Sequence, residues 1–119
     1  MSTRIAITVQ RLGELEELMD SRFGRTPAFL LVEVGTRAVT AVDNPAAAAV
    51  QGAGTAAAAS LAKRGVHAVI SGRFGPKAHE ALAALGVEMW TAPSGLTARE
   101  ALDQYLAGGL QRVVVEVFR

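Results

Sequence analysis

The sequence predicts a single α/β domain, residues 1–119, built on a mostly parallel sheet covered by helices. Three observations predict it. From residue 37 to 107, short apolar runs alternate with segments of helical period, the pattern of parallel strands joined by right-handed crossovers. Gly65, Gly86 and Gly108 follow the three helical segments, where a left-handed C-terminal cap is needed. Before residue 43, two apolar runs lie too close together for a crossover, so they must pair as a hairpin.

Residues 4–9 read as the first strand, with Ile5, Ile7 and Val9 alternating with smaller or polar residues. Residues 10–21 form a connection in which Leu12, Leu15, Leu18 and Met19 have near-helical spacing, compatible with one or two turns of helix. Residues 28–34 and 37–42 are the hairpin strands, with the turn at Gly35-Thr36. Residues 54–64 are an Ala-rich helix, and residues 66–71 a short strand. Residues 76–85 are helical, with Ala78, Ala81, Leu82 and Leu85 on one stripe and Pro76 at the first position, where its missing N–H is harmless. Residues 87–90 are a strand. Residues 97–107 are helical, opened by Thr97 and Glu100 as a capping box. Residues 113–118 are a last apolar run, read either as an extra strand or as a segment that pairs with another chain.

Composition narrows the function. Half of the 119 residues are hydrophobic, enough for one buried core. The 12 basic and 11 acidic residues leave a net charge of +1 with no basic run, which argues against binding nucleic acid by bulk charge. With no cysteine, one chain cannot form a disulfide, a thiolate zinc site or a cysteine-ligated cluster. The N-terminus lacks the apolar core of a signal peptide, and no apolar stretch could span a bilayer, so a cytoplasmic protein with no membrane partner is expected.

In a parallel sheet, ligands bind beyond the carboxyl ends of the strands. Two glycine-bearing loops lead from such ends into helices: Gln51-Gly52-Ala53-Gly54, and Ser71-Gly72-Arg73-Phe74-Gly75-Pro76-Lys77. Glycine lets a ligand approach the backbone, and free N–H groups at a helix start attract anions. Neither loop carries a complete dinucleotide or P-loop motif, and each also reads as an ordinary tight turn with solvated cations. Opening on one edge, they form an anion or metallocofactor crevice lined by Gly52, Gly54, Ser71, Gly72, Gly75 and Lys77, with Arg73 adding charge. Arg22, Phe23 and Arg25 close the same crevice, or Phe23 anchors the loop in the core with both arginines outside. His79, in the first turns of its helix, is the candidate metal ligand, against an exposed helix histidine as the plainer reading. His67, placed inside a central strand, reads as a buried or helix-covered histidine. Glu33, Asp43, Glu80 and Glu88 are scattered without motif spacing, and no nucleophile elbow is visible, which disfavours a hydrolase.

The sequence resembles the dinitrogenase iron–molybdenum cofactor biosynthesis family. The resemblance is carried by Ser21-Arg22-Phe23-Gly24-Arg25 with the strand after Pro27, by Asp43-Asn44-Pro45 leading to Gly52-Ala53-Gly54, and by Gly65-Val66 with Val69-Ile70. It continues through Gly72, Gly75-Pro76-Lys77-Ala78 and Leu85-Gly86-Val87, and closes on Glu100-Ala101-Leu102 with Tyr105 and residues 108–110. It implies a ribonuclease-H-like three-layer α/β/α fold whose mixed five-stranded sheet has the order 3-2-1-4-5 with strand 2 antiparallel. It also implies a nitrogenase-linked role in which an iron–sulfur or iron–molybdenum cofactor precursor is bound and handed on. The segment 13–19 departs from the pattern by being acidic and helix-like, and the chain lacks cysteine.

The expected function is therefore a small non-catalytic carrier of such a precursor, or an accessory protein of metallocluster assembly. Its partners would be donor and acceptor proteins of the cluster, with a homodimer open and no nucleic acid involved. The alternatives are an interaction or regulatory module acting through an exposed strand at 113–118, and a phosphate- or nucleotide-binding protein.

Overall fold

The computed structural model describes residues 3–49 and 51–114. The strands are β1 (Arg4–Val9), β2 (Ala28–Glu33), β3 (Val39–Asp43), β4 (Ala68–Ser71), β5 (Glu88–Thr91) and β6 (Gln111–Arg112). The helices are α1 (Ala53–Lys63), α2 (Pro76–Ala84) and α3 (Ala98–Leu106). One sheet holds all six strands in the order β3-β2-β1-β4-β5-β6. β1, β4 and β5 are mutually parallel, β2 is antiparallel to both its neighbours, and β6 runs antiparallel along β5.

The order of the first five strands is the expected one, but the five-stranded sheet is not: β6 extends it by one. Gln111 and Arg112 are exposed and show no apolar alternation, so only their backbone pairing with Thr91 and Trp90 makes them a strand. Val113 continues the pairing by donating its N–H to the Met89 carbonyl at 2.8 Å. The described start of the last apolar run is thus spent within the chain, and residues 115–119 lie outside the described residues.

Period-2 alternation divides the core. Ile5, Ile7, Val9, Leu30, Val32, Ala68 and Ile70 face Ala98, Ala101 and Leu102 of α3. Ala6, Phe29, Leu31, Val69 and Met89 face Ala57, Ala58 and Leu61 of α1 and Ala78 and Leu82 of α2. The result is three layers, α/β/α. Small alanines let α1 and α2 lie close to the sheet and to each other. The glycines after the helices adopt the expected left-handed conformation, with φ of 72°, 73° and 77° at Gly65, Gly86 and Gly108. In the β2–β3 hairpin, that conformation falls instead on Arg37, with φ of 65°.

Residues 10–21 form no helix. Two of their carbonyls have other employment: Ala98 N–H donates to Glu17 O and Arg99 N–H to Leu15 O, both at 2.8 Å. The segment caps α3. Its leucines diverge accordingly, with Leu12 and Leu18 exposed, Leu15 half-buried and Met19 buried.

Candidate functional site

α1 and α2 both begin at the carboxyl edge of the sheet, side by side. A Cβ built on Gly54 would lie 2.9 Å from Ala78 Cβ, and one on Gly24 would lie 2.9 Å from Gly54 N. Only glycine permits this approach, which brings the 22–25 loop, the start of α1 and the start of α2 together around a cleft of about 480 Å3. Gly24, Gly52, Gly54, Gly75 and Ala78 form its backbone-rich wall, and Phe23 and Phe74 its apolar part. Their rings lie 5.5 Å apart, and Phe23, 1 % exposed, also meets Phe29 at 5.8 Å. Phe23 thus anchors the loop in the core and still lines the cleft.

The helix starts set the electrostatics. Gly52 caps α1 with φ of 74° and Gly75 caps α2, and neither helix has a side-chain cap or an acidic residue in its first turn. α3 differs: Thr97 and Glu100 complete a capping box, and the 15–17 carbonyls take the next N–H groups. The two helices that open on the cleft therefore present the positive ends of their dipoles. Arg22, Arg25, Arg73 and Lys77 also line it, and no Asp or Glu does among the described residues.

Two of these cations have protein partners. Arg22 pairs with buried Asp20, its Nε 3.3 Å from Oδ1 and its Nη2 3.4 Å from Oδ2. Arg25 Nη1 donates to the carbonyls of Ala47, at 3.2 Å, and Ala49, fastening the 45–49 turn beside the cleft. Asn44 secures the base of that turn: its Nδ2 donates to Gly24 O at 3.1 Å and Thr26 O at 2.9 Å, and its Oδ1 accepts from Ala46 N–H at 3.1 Å. The Asp43-Asn44-Pro45 motif is a fastening for the site rather than part of its lining.

The dinitrogenase iron–molybdenum cofactor family model matches residues 1–108. The chain belongs to that family. Within it, this member is similar to the apo form of the orange protein from Desulfovibrio gigas, with 38% identity and a TM-score of 0.90, over 95% of this chain and 94% of that one. It is also similar to a candidate NifB protein of Thermotoga assigned to the DUF35 family, with 28% identity and a TM-score of 0.83, over 98% and 97% of the two chains. An uncharacterized protein of Methanocaldococcus jannaschii is 29% identical over 97 residues, 79% of this chain and 81% of the other.

Of the residues singled out in the sequence, Arg22, Phe23, Arg25, Gly52, Gly54, Gly75 and Lys77 of this family member meet at the cleft. Three do not. Ser71 is fully buried, and its hydroxyl lies 3.0 Å from that of Thr8, so it joins β1 to β4. Gly72 packs on the Ser21 backbone, where a Cβ would come within 2.8 Å of Ser21 O, and faces smaller pockets toward α3. His79 is half-buried on α2 but outside the cleft lining, because Ala78 takes the inward position against Gly54. His67 corrects the sequence reading: it precedes β4, its side chain is 56 % exposed, and its Nε2 lies 3.4 Å from Glu88 Oε2 at the amino end of the strands. Among the described residues, no three of His, Cys, Asp and Glu gather to hold a metal ion.

Sequence reasoning overlooked Gly24, Phe74 and Ala78 as lining residues. Gly24 carried a usable signal: a glycine between Phe23 and Arg25 marks a close approach of backbone to backbone.

Proposed function

We propose that this protein is a small, non-catalytic carrier that holds an anionic metallocluster, an iron–sulfur or iron–molybdenum cofactor precursor, and passes it between donor and acceptor proteins. The observation that carries the reading is the cleft where two helix N-termini without side-chain caps converge among four cations, with no Asp or Glu among the described residues of its lining. Oriented amides and guanidinium groups stabilise negative charge without breaking any bond. Family membership supplies the class of cargo.

The donor set limits how such a cargo is held. The chain has no cysteine, and no metal-binding group of side chains occurs among the described residues. A cluster that takes its ligands from the protein does not fit. An anion that carries its own complete ligand shell does, held by N–H groups at the starts of α1 and α2 and by Arg22, Arg25, Arg73 and Lys77. His79 remains a ligand proposal only for a cargo that reaches beyond the cleft. A ribonuclease-H-like kinship of the fold belongs with this reading, supported by the order β3-β2-β1-β4-β5 with β2 antiparallel. No helix of the described residues is long and apolar enough to cross a membrane.

The test is anaerobic mixing of the purified protein with an extracted cofactor precursor, followed by desalting. The reading expects a charge-transfer absorption band and iron that co-elutes with protein at low salt. No spectral change together with no retained iron defeats it.

A further inference from the structure

Asp20 is the one buried acidic side chain among the described residues. It stands beside an anion cleft without entering it, at the edge of a smaller pocket on the α3 side of the same rim. Its backbone is fixed by β1: the Asp20 N–H donates to Thr8 O at 3.0 Å, and the Thr8 hydroxyl donates back to Asp20 O at 2.6 Å. Its Oδ1 accepts the Arg22 N–H at 2.8 Å, which sets the turn into the 22–25 loop. The remaining carboxylate capacity faces the Nε and Nη2 of Arg22, the two-pronged edge of a guanidinium that suits an oxyanion. Arg22 itself is half exposed, with side-chain exposure of 51 %.

From this geometry we infer that Asp20 is a positioning residue that competes with the cargo for Arg22 and so speeds its release. The inference rests on the anion-carrier reading above. An anion that engages the fork of Arg22 must displace or share the Asp20 carboxylate. Asp20 thus holds Arg22 at the cleft mouth when the site is empty, and supplies a ready internal acceptor when the cargo leaves. For a carrier the competition shortens residence, because differences in affinity lie mostly in the dissociation rate.

The experiment uses molybdate as the probe, with affinity measured by calorimetry and dissociation by stopped-flow on the full chain. Asp20→Asn keeps an oxygen for the Arg22 N–H and removes the competing charge. It is expected to bind molybdate about fivefold tighter, the scale of a half-exposed ion pair, with the change in the dissociation rate. Arg22→Gln is expected to weaken binding, and Asp20→Asn in the Arg22→Gln background to change nothing further. A purely structural Asp20 predicts the opposite sign, weaker binding with a lower melting temperature. Unchanged or weaker binding by a folded Asp20→Asn protein overturns the inference while leaving the carrier reading intact, and so does a gain that persists without Arg22. If Asp20→Asn fails to fold, the Arg22 fork is read directly in the wild type: Nε–H resonances that do not shift on adding molybdate overturn it. Absence of molybdate binding to the wild type removes the anion reading itself, and this inference with it.

Discussion

Lys77 occupies the first turn of α2, a position where a cation is unfavourable against the helix dipole. There it lines the cleft. Lys77→Gln is therefore expected to raise stability by about 0.3–1 kcal/mol in urea denaturation while weakening anion retention, two effects of opposite benefit. Gly54 gives a cleaner steric case. In an exposed helix, alanine would stabilise over glycine, but here the new methyl meets Ala78 Cβ at 2.9 Å and Ala78 backbone at 3.2 Å. Gly54→Ala is expected to lose about 1–3 kcal/mol, measured the same way, as the start of α1 is pushed from α2. A stabilised Gly54→Ala protein would show that the two helix starts are not in firm contact.

At the scale of elements, α3 and the 10–21 segment stand or fall together. The segment caps α3 with two carbonyls, and Arg99 of α3 answers with a 2.6 Å contact to Glu16. Thr97→Ala removes the capping box and is expected to cost about 1 kcal/mol, detected as a lower urea midpoint. The hydrogen bond from Arg99 holds the Glu16 carboxyl below its ordinary value of 4.5. A carboxyl lowered in the folded state stabilises above its unfolded value and loses that contribution as pH falls through the folded one. Carboxyl-carbon NMR titration should therefore find Glu16 protonating at lower pH in the wild-type protein than in Arg99→Gln. These same elements show what sequence pattern could and could not reveal. Pro76, the Thr97–Glu100 box and the three capping glycines are local chemistry, so the helices were legible within a residue or two. The leucine spacing of residues 10–21 misled because their backbone is claimed from outside by α3, a long-range fact that no window contains. β6 was invisible for a related reason: two polar exposed residues become a strand only because β5 offers them an edge.

Over the whole molecule, charge is unevenly spread although the total is only +1. Arg22, Arg25, Arg73 and Lys77 converge at the cleft, while on α3 and the segment that caps it Glu14, Glu16, Glu17, Glu100 and Asp103 outnumber Arg11 and Arg99. Net charge hid this. The cleft was foreseeable from two glycine loops at one sheet edge, but the loss of Ser71, Gly72 and His79 from its lining was not. Which side of a loop faces a ligand depends on packing of Gly72 on Ser21 and of Ala78 on Gly54. Binding dominated by such a cluster should weaken steeply with ionic strength, and isothermal titration at about 50 and 200 mM salt checks it. Affinity independent of salt would count against an electrostatic cradle.

The near-contact of Gly54 with Ala78 has one more consequence. It sets two like macrodipole poles side by side. A bound polyanion converts mutual repulsion into shared attraction, so occupancy should tighten the molecule as a whole. The filled protein should melt at a higher temperature than the empty one, and its amide protons near residues 53–56 and 77–79 should exchange more slowly.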